Sequence, residues 1–151
     1  LYMSLRPTLL DDLGLTAALG WLCREFTKVY PNIAIEKTFR IDENLVPQSL
    51  KIVVFRIVQE ALNNIVRHSE ATTVDLGLKE EQNRIDLLIR DNGLGFNLSQ
   101  TLSSARMRGL GLASMRELTQ LSGGTFSIDS VTGNGTTIHA SWPSHRNGSF
   151  S

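Results

Sequence analysis

Glu60 and Asn64 stand four residues apart in Gln59-Glu-Ala-Leu-Asn-Asn-Ile-Val-Arg-His-Ser69, so on a helix they share one face. An amide oxygen is a good hard ligand for magnesium, which keeps several waters and is shared with phosphates. A carboxylate one turn back can order or deprotonate such a water, or an attacking group. Asp91 follows the apolar run Ile85-Asp-Leu-Leu-Ile89, where a buried strand leaves its sheet. As an acceptor-only group it suits an exocyclic amine such as that of adenine. Gly93 and Gly95 remove side chains where a base would lie against backbone. Gly109-Leu-Gly111, opening a helix, offers free amides and a helix dipole to phosphate. Gly135-Thr-Thr137 places small hydroxyl residues at the entry to a late strand. Taken in order, the four blocks describe a pocket for a purine triphosphate and a magnesium ion.

Each block alone has a plainer reading. The polar stripe Arg56, Glu60, Asn63, Asn64, Arg67 suits a solvated helix face, although paired asparagines are a poor choice for such a face. Asp91-Asn-Gly93 is also an ordinary turn sequence. The Gly-x-Gly at 109–111 is not a dinucleotide fingerprint, because Leu102 to Arg108 form no apolar strand. No glycine is followed by lysine, which excludes a Walker A loop. His68 reads as a complement to the carbonyl end of its helix, and His139 and His145 are blander still. Cys23 reads as a small core residue.

The elements that must hold these blocks follow from periodicity. Leu1 to Asp12 reads as the end of a longer helix, broken at Leu13-Gly-Leu15, and Thr16 is placed to cap a helix reaching about Val29. Pro31 and Asn32 stop it, and Ile33, Ile35, Lys37, Phe39 and Ile41 alternate as in a strand. Pro47 suits a helix start, and Ile52, Phe55, Val58, Leu62, Ile65 and Val66 carry helical spacing to about His68. Thr73 to Lys79 and Arg84 to Arg90 form a hairpin around Glu81 to Asn83. Leu110 to Leu121 is helical, and Thr125 to Val131 pairs through Thr132-Gly-Asn-Gly135 with Thr136 to Trp142. Asn97 to Met107 is polar and lacks a period, and Arg146 to Ser151 reads as a disordered tail.

At 151 residues the chain fits one domain, burying roughly 70% of its unfolded surface. Lysine plus arginine equals aspartate plus glutamate at 15 each, so nothing favours bulk attraction to nucleic acid or an anionic membrane. A single cysteine excludes an internal disulfide and a cysteine-based zinc site, and fits a reducing cytosol. No apolar run approaches the roughly 18 residues of a membrane span, and no signal peptide is visible. A start at Leu1 rather than methionine is expected of a fragment of something longer.

In order and type, the four blocks resemble the asparagine box, the two glycine boxes and the closing Gly-Thr motif of the GHKL nucleotide-binding superfamily. Leu5-Arg-Pro7 with Leu10-Asp-Asp-Leu-Gly-Leu15 and Ala18-Leu19 is similar to the junction after the dimerisation helices in sensor histidine kinases of the NarX/DesK/LiaS kind. Gly109-Leu-Gly-Leu-Ala-Ser-Met-Arg-Glu117 is similar to that subfamily's second glycine box. The resemblance implies an α+β, Bergerat-type two-layer sandwich, with helices on one face of a mixed, mainly antiparallel sheet. Residues 1–15 would be the end of a dimerisation helix and a junction, 16–145 the ATP-binding catalytic domain, and 146–151 the tail. It further implies Asn64 as magnesium ligand, Glu60 as the carboxylate that orders water or activates the acceptor, and Asp91 on the adenine amine above Gly93 and Gly95. Gly109, Gly111 and Leu112 would line the phosphate side, Arg67 would contact phosphate, and Thr136 with Thr137 would close the base pocket. Asn97 to Met107 becomes a lid, with Arg106 and Arg108 near the phosphates.

The implied activity is ATP gamma-phosphoryl transfer to a histidine and thence to a NarL-type response regulator. None of His68, His139 and His145 has the acceptor's context, so the acceptor is expected on a separate dimerisation and phosphotransfer domain. The parent is expected to be a homodimer with this domain in the cytoplasm, and the resemblance admits a membrane-anchored parent. A GHKL-type ATPase and a nucleotide-binding module without chemistry are the alternatives.

Overall fold

The computed structural model describes residues 10, 12–97 and 110–144. The bulk of the expected lid, Arg106, Arg108, Gly109, His145 and the tail lie outside the described residues. In chain order the elements are α1 (Leu15–Val29), β1 (Ala34–Arg40), a 3-10 turn (Glu43–Leu45), α2 (Gln48–Asn64) running into a π turn (Ile65–Ser69), β2 (Thr73–Glu81), β3 (Arg84–Asp91), α3 (Leu112–Leu121), β4 (Thr125–Ser130) and β5 (Thr136–Pro143). The five strands form one sheet in the order β1-β2-β3-β5-β4. β1 and β2 are parallel and the other pairs antiparallel, the mixed, mainly antiparallel sheet that was expected.

Parallel neighbours need a crossover connection, and α2 supplies it between β1 and β2. α2 lies over β3 in the middle of the helical layer, with α1 against β1 and α3 against β4. Leu50, Val54, Phe55, Ile57, Val58, Ala61 and Leu62 bury the α2 face that meets the sheet. Alternation does the same for β3, whose Ile85, Leu87, Ile89 and Asp91 are buried. The β2–β3 hairpin turns at Gln82 and Asn83, both with positive φ, as a tight two-residue hairpin requires. Trp142 of β5 is almost wholly buried, and its indole N–H donates to Ser122 Oγ at 2.9 Å, tying β5 to the end of α3. The opposite sheet face is polar and carries a hydrogen bond between His139 Nε2 and Asp86 Oδ1 at 2.8 Å.

The start of α1 differs from the sequence reading. Gly14, not Thr16, occupies the cap position and makes no side-chain bond. Glu43, from the 3-10 turn, instead accepts from the backbone N–H of Leu15 and from that of Thr16 at 3.1 Å. A carboxylate brought from 27 or 28 residues away does the work of a local cap and also meets the positive end of the helix dipole. Local sequence carries no trace of such a partner.

Candidate functional site

A cleft of about 290 Å³ opens where the end of α2 meets the end of β3 and the start of β5. Ala61, Ile65, Ile89, Leu110 and Ile138 supply its apolar lining. Its polar lining is Asn64, His68, Ser69, Asp91 and Thr136, with Gly95 and Phe96 completing it. Apolar walls with a few convergent polar groups are the usual make-up of a small-molecule site.

Asp91 is the buried acid of this cleft, and its carboxylate accepts from the Gly93 N–H at 2.8 Å and from the Thr136 amide. Burial raises its pKa above the ordinary carboxylate range, while the two amide donors, which favour the ionised form, partly offset that effect. The register explains the company it keeps: Asp91 pairs with Thr136, and Thr136 pairs with Ser130 on the next strand. Ser130 Oγ lies 2.8 Å from Thr136 Oγ1.

The loop after Asp91 is clamped from two sides. Leu94 N–H donates to Ser69 O at 2.6 Å, and Gly133 N–H donates to Leu94 O at 2.6 Å. Asn92 accepts from the amides of Thr72 and Thr73 at 2.9 and 3.0 Å, holding the loop to the entry of β2. Gly93 packs so closely on Ser69 that a Cβ would collide with its backbone. Gly93 therefore has a reason besides room for a base: the loop must touch the end of the helix. Gly95 lines the cleft and sits against the carbonyls of Val131 and Gly135.

On α2 the expected polar stripe divides. Glu60, Asn63 and Asn64 are partly buried, whereas Arg56, Arg67 and His68 are exposed. Asn64 lines the cleft. Glu60 lies against Gly111, close enough that a Cβ there would strike its carboxylate. The structure thus brings Glu60 to the N-terminal end of α3, with Asn64 one helical turn further on. Leu112 buries its side chain in the core, leaving only its backbone for a ligand. Arg67 is exposed and not among the residues lining the cleft. Thr137 is turned away: it pairs with Arg90 and Asp129, one residue out of phase with Thr136, and so faces the other side of the sheet.

His68, Ser69, Phe96 and Leu110 line the cleft although the sequence reading assigned them no ligand. His68 could have been found by its place one turn beyond Asn64; Phe96 and Leu110 are apolar residues in loops, which sequence alone does not distinguish from core. Among the described residues no group of three or more His, Cys, Asp or Glu could hold a metal. A cation here would take few protein ligands and complete its shell with water and a bound anion, the habit of magnesium.

Comparison with known proteins adds to this geometry. The family described as histidine kinase-, DNA gyrase B-, and HSP90-like ATPase matches residues 50–146. The chain is 37% identical over 139 residues to the signal transduction histidine-protein kinase/phosphatase UhpB of Salmonella typhimurium, covering 92% of this chain and 26% of that protein. It is 39% identical over 145 residues to the sensor histidine kinase LiaS of Bacillus subtilis, covering 95% of this chain and 38% of that one. The chain therefore spans well under half the length of these relatives. In fold it is similar to the histidine kinase domain of the Erythrobacter litoralis EL346 blue-light activated histidine kinase, with a TM-score of 0.70 and 21% identity over 89% of this chain and 67% of that one.

Proposed function

This chain belongs to the histidine kinase-, DNA gyrase B- and HSP90-like ATPase family, and from that membership we propose that it is the ATP-binding catalytic domain of a two-component sensor histidine kinase. Its reaction is transfer of the ATP gamma-phosphoryl group to a histidine on a separate dimerisation domain, from which a NarL-type response regulator is charged. The observation that carries this reading is that buried Asp91 and Thr136 line one cleft together with Asn64 of α2.

In that cleft Asp91 accepts from the adenine amine, and the apolar residues Ala61, Ile65, Ile89 and Ile138 contact the base. The donor set fits magnesium: Asn64 offers a hard oxygen, and among the described residues no closed protein cage competes with the phosphates. Bound there, the ion would neutralise charge on the phosphate oxygens. Glu60, beside the Gly111 turn, would orient the attacking histidine and draw off its proton. The N-terminal end of α3 presents free amides toward phosphate. His139 is engaged with Asp86 on the far sheet face, which suits an acceptor located elsewhere. The kinase reading places this domain on the cytoplasmic side of the parent. No helix among the described residues is long and apolar enough to cross a membrane.

Calorimetric titration with ATP and ADP tests the binding half of this reading. The chain should bind both, and Asp91→Asn, which can turn a donor toward the adenine amine, should weaken both by about one to two factors of ten. Equal affinity in the variant would remove Asp91 from the base pocket.

A further inference from the structure

Ser130 is a buried hydroxyl at the end of β4 that the reaction described above does not use. Its Oγ has three partners: the Phe96 N–H at 2.9 Å, the Gly135 carbonyl at 3.1 Å and Thr136 Oγ1 at 2.8 Å. Two of these roles are fixed, because the Phe96 amide can only donate and the Gly135 carbonyl can only accept. A hydroxyl has one proton and two lone pairs. If Ser130 donates to Gly135, its second lone pair must take the proton of Thr136, and every group in the set is satisfied. If Ser130 donates to Thr136 instead, Gly135 O keeps, among the described residues, only the long bond from Val131 N–H at 3.4 Å, and the Thr136 proton is left unpaired. Buried polar groups settle in the arrangement that pairs them all.

Resting on the nucleotide reading of the cleft, we propose that Ser130 is a specificity-determining positioning residue: by taking up the Thr136 proton it makes Thr136 a pure acceptor beside Asp91. Thr136 and Asp91 both line the cleft and are register partners on adjacent strands. An all-acceptor wall matches an exocyclic amine, which has two hydrogens to give. It offers no donor to a purine whose six-position is a carbonyl, so that oxygen is left unpaired against it. Ser130 also accepts from the Phe96 N–H, so it ties this wall to the loop that lines the cleft at Gly95 and Phe96.

The test is the ratio of affinities for ATP and inosine triphosphate, which differ in an amine against a carbonyl at the six-position and in the hydrogen that the latter carries on N1, measured by calorimetry on the whole chain with magnesium present. The parent should prefer ATP. Ser130→Ala frees the Thr136 hydroxyl to rotate and donate, so the ATP preference should fall by about tenfold. Ser130→Thr keeps the hydroxyl and should keep the preference. Ser130→Cys fills the same space with a poor hydrogen-bonding group, and it reads the same loss should the alanine variant fail to fold. A purely structural role would weaken both nucleotides by the same factor and leave the ratio unchanged; that result overturns the proposal, as would a threonine variant that behaves like alanine. Normal ATP binding by the parent with no preference over inosine triphosphate would overturn this inference alone. Failure of the parent to bind either nucleotide would overturn the nucleotide reading and this inference with it.

Discussion

Asp91 and Asn64 lie in one cleft but answer to different physics, and their variants should separate. Burial raises the Asp91 pKa, so the folded state prefers the protonated acid relative to the unfolded chain. Stability from this group is therefore present at low pH and is lost as pH rises through the raised folded value. Asp91→Asn removes that loss. Thermal melts should show the variant gaining on the parent as pH rises from the acid range to neutrality, even as its ATP affinity falls. A parent that gains relative to the variant over that interval would contradict the burial argument. Affinity runs the other way from stability: under the proposed role of Asp91 the ionised acceptor meets the amine, so ATP binding should weaken as pH falls toward the Asp91 pKa. Asn64→Ala leaves Asp91 and the apolar lining in place, so metal-free nucleotide binding should persist while the gain on adding magnesium shrinks. Full retention of that gain would make the α2 stripe a solvated face. These residues were legible because their types are odd for their places: paired asparagines on an apolar helix, an acid ending a hydrophobic strand. Ser130 was not, because a serine at a strand end is ordinary and its partners come from three separate segments.

At the level of elements, the helix and strand pattern was read from periodicity, whereas the contacts that fix one element against another were not. The cap of α1 is the clearest case, since Glu43 belongs to a turn beyond β1. Glu43→Ala should cost about 1 kcal/mol, within the usual range for losing a helix cap, and Glu43→Gln less, because an amide oxygen still accepts. Denaturant melts of both variants would show it, and no change in either would mean that solvent replaces the cap. The turn between β4 and β5 offers a second contrast. Gly133 and Gly135 both have positive φ, but a Cβ at Gly133 meets nothing, while one at Gly135 collides with the Asp91 carbonyl. Gly133→Ala should therefore cost about 1 kcal/mol from backbone strain alone. Gly135→Ala should cost about 3 kcal/mol and weaken ATP binding as well, because Asp91 must move to make room. Equal costs would mean the turn yields without disturbing β3. Thr137 illustrates the same limit: two adjacent threonines look alike in sequence, and only the register decides which one faces the cleft.

Taken whole, the described part of the molecule is a sheet with one helical face, one polar face and a cleft of about 290 Å³ at one end of the helical layer. In the proposed reading it supplies the groups for binding and positioning, and the acceptor belongs to another domain. That division of labour is the central claim, and a phosphotransfer reconstitution tests it most directly. This chain, magnesium, gamma-labelled ATP and a separately produced dimerisation domain of the same kinase are combined, and label is followed on each protein. The expected result is acid-labile label on the dimerisation domain and none on this chain. Glu60→Gln should slow that transfer by about 100-fold, within the range for general base catalysis, while ATP binding stays close to that of the parent. Stable label on this chain's own histidines, or steady release of phosphate with neither protein labelled, would contradict it.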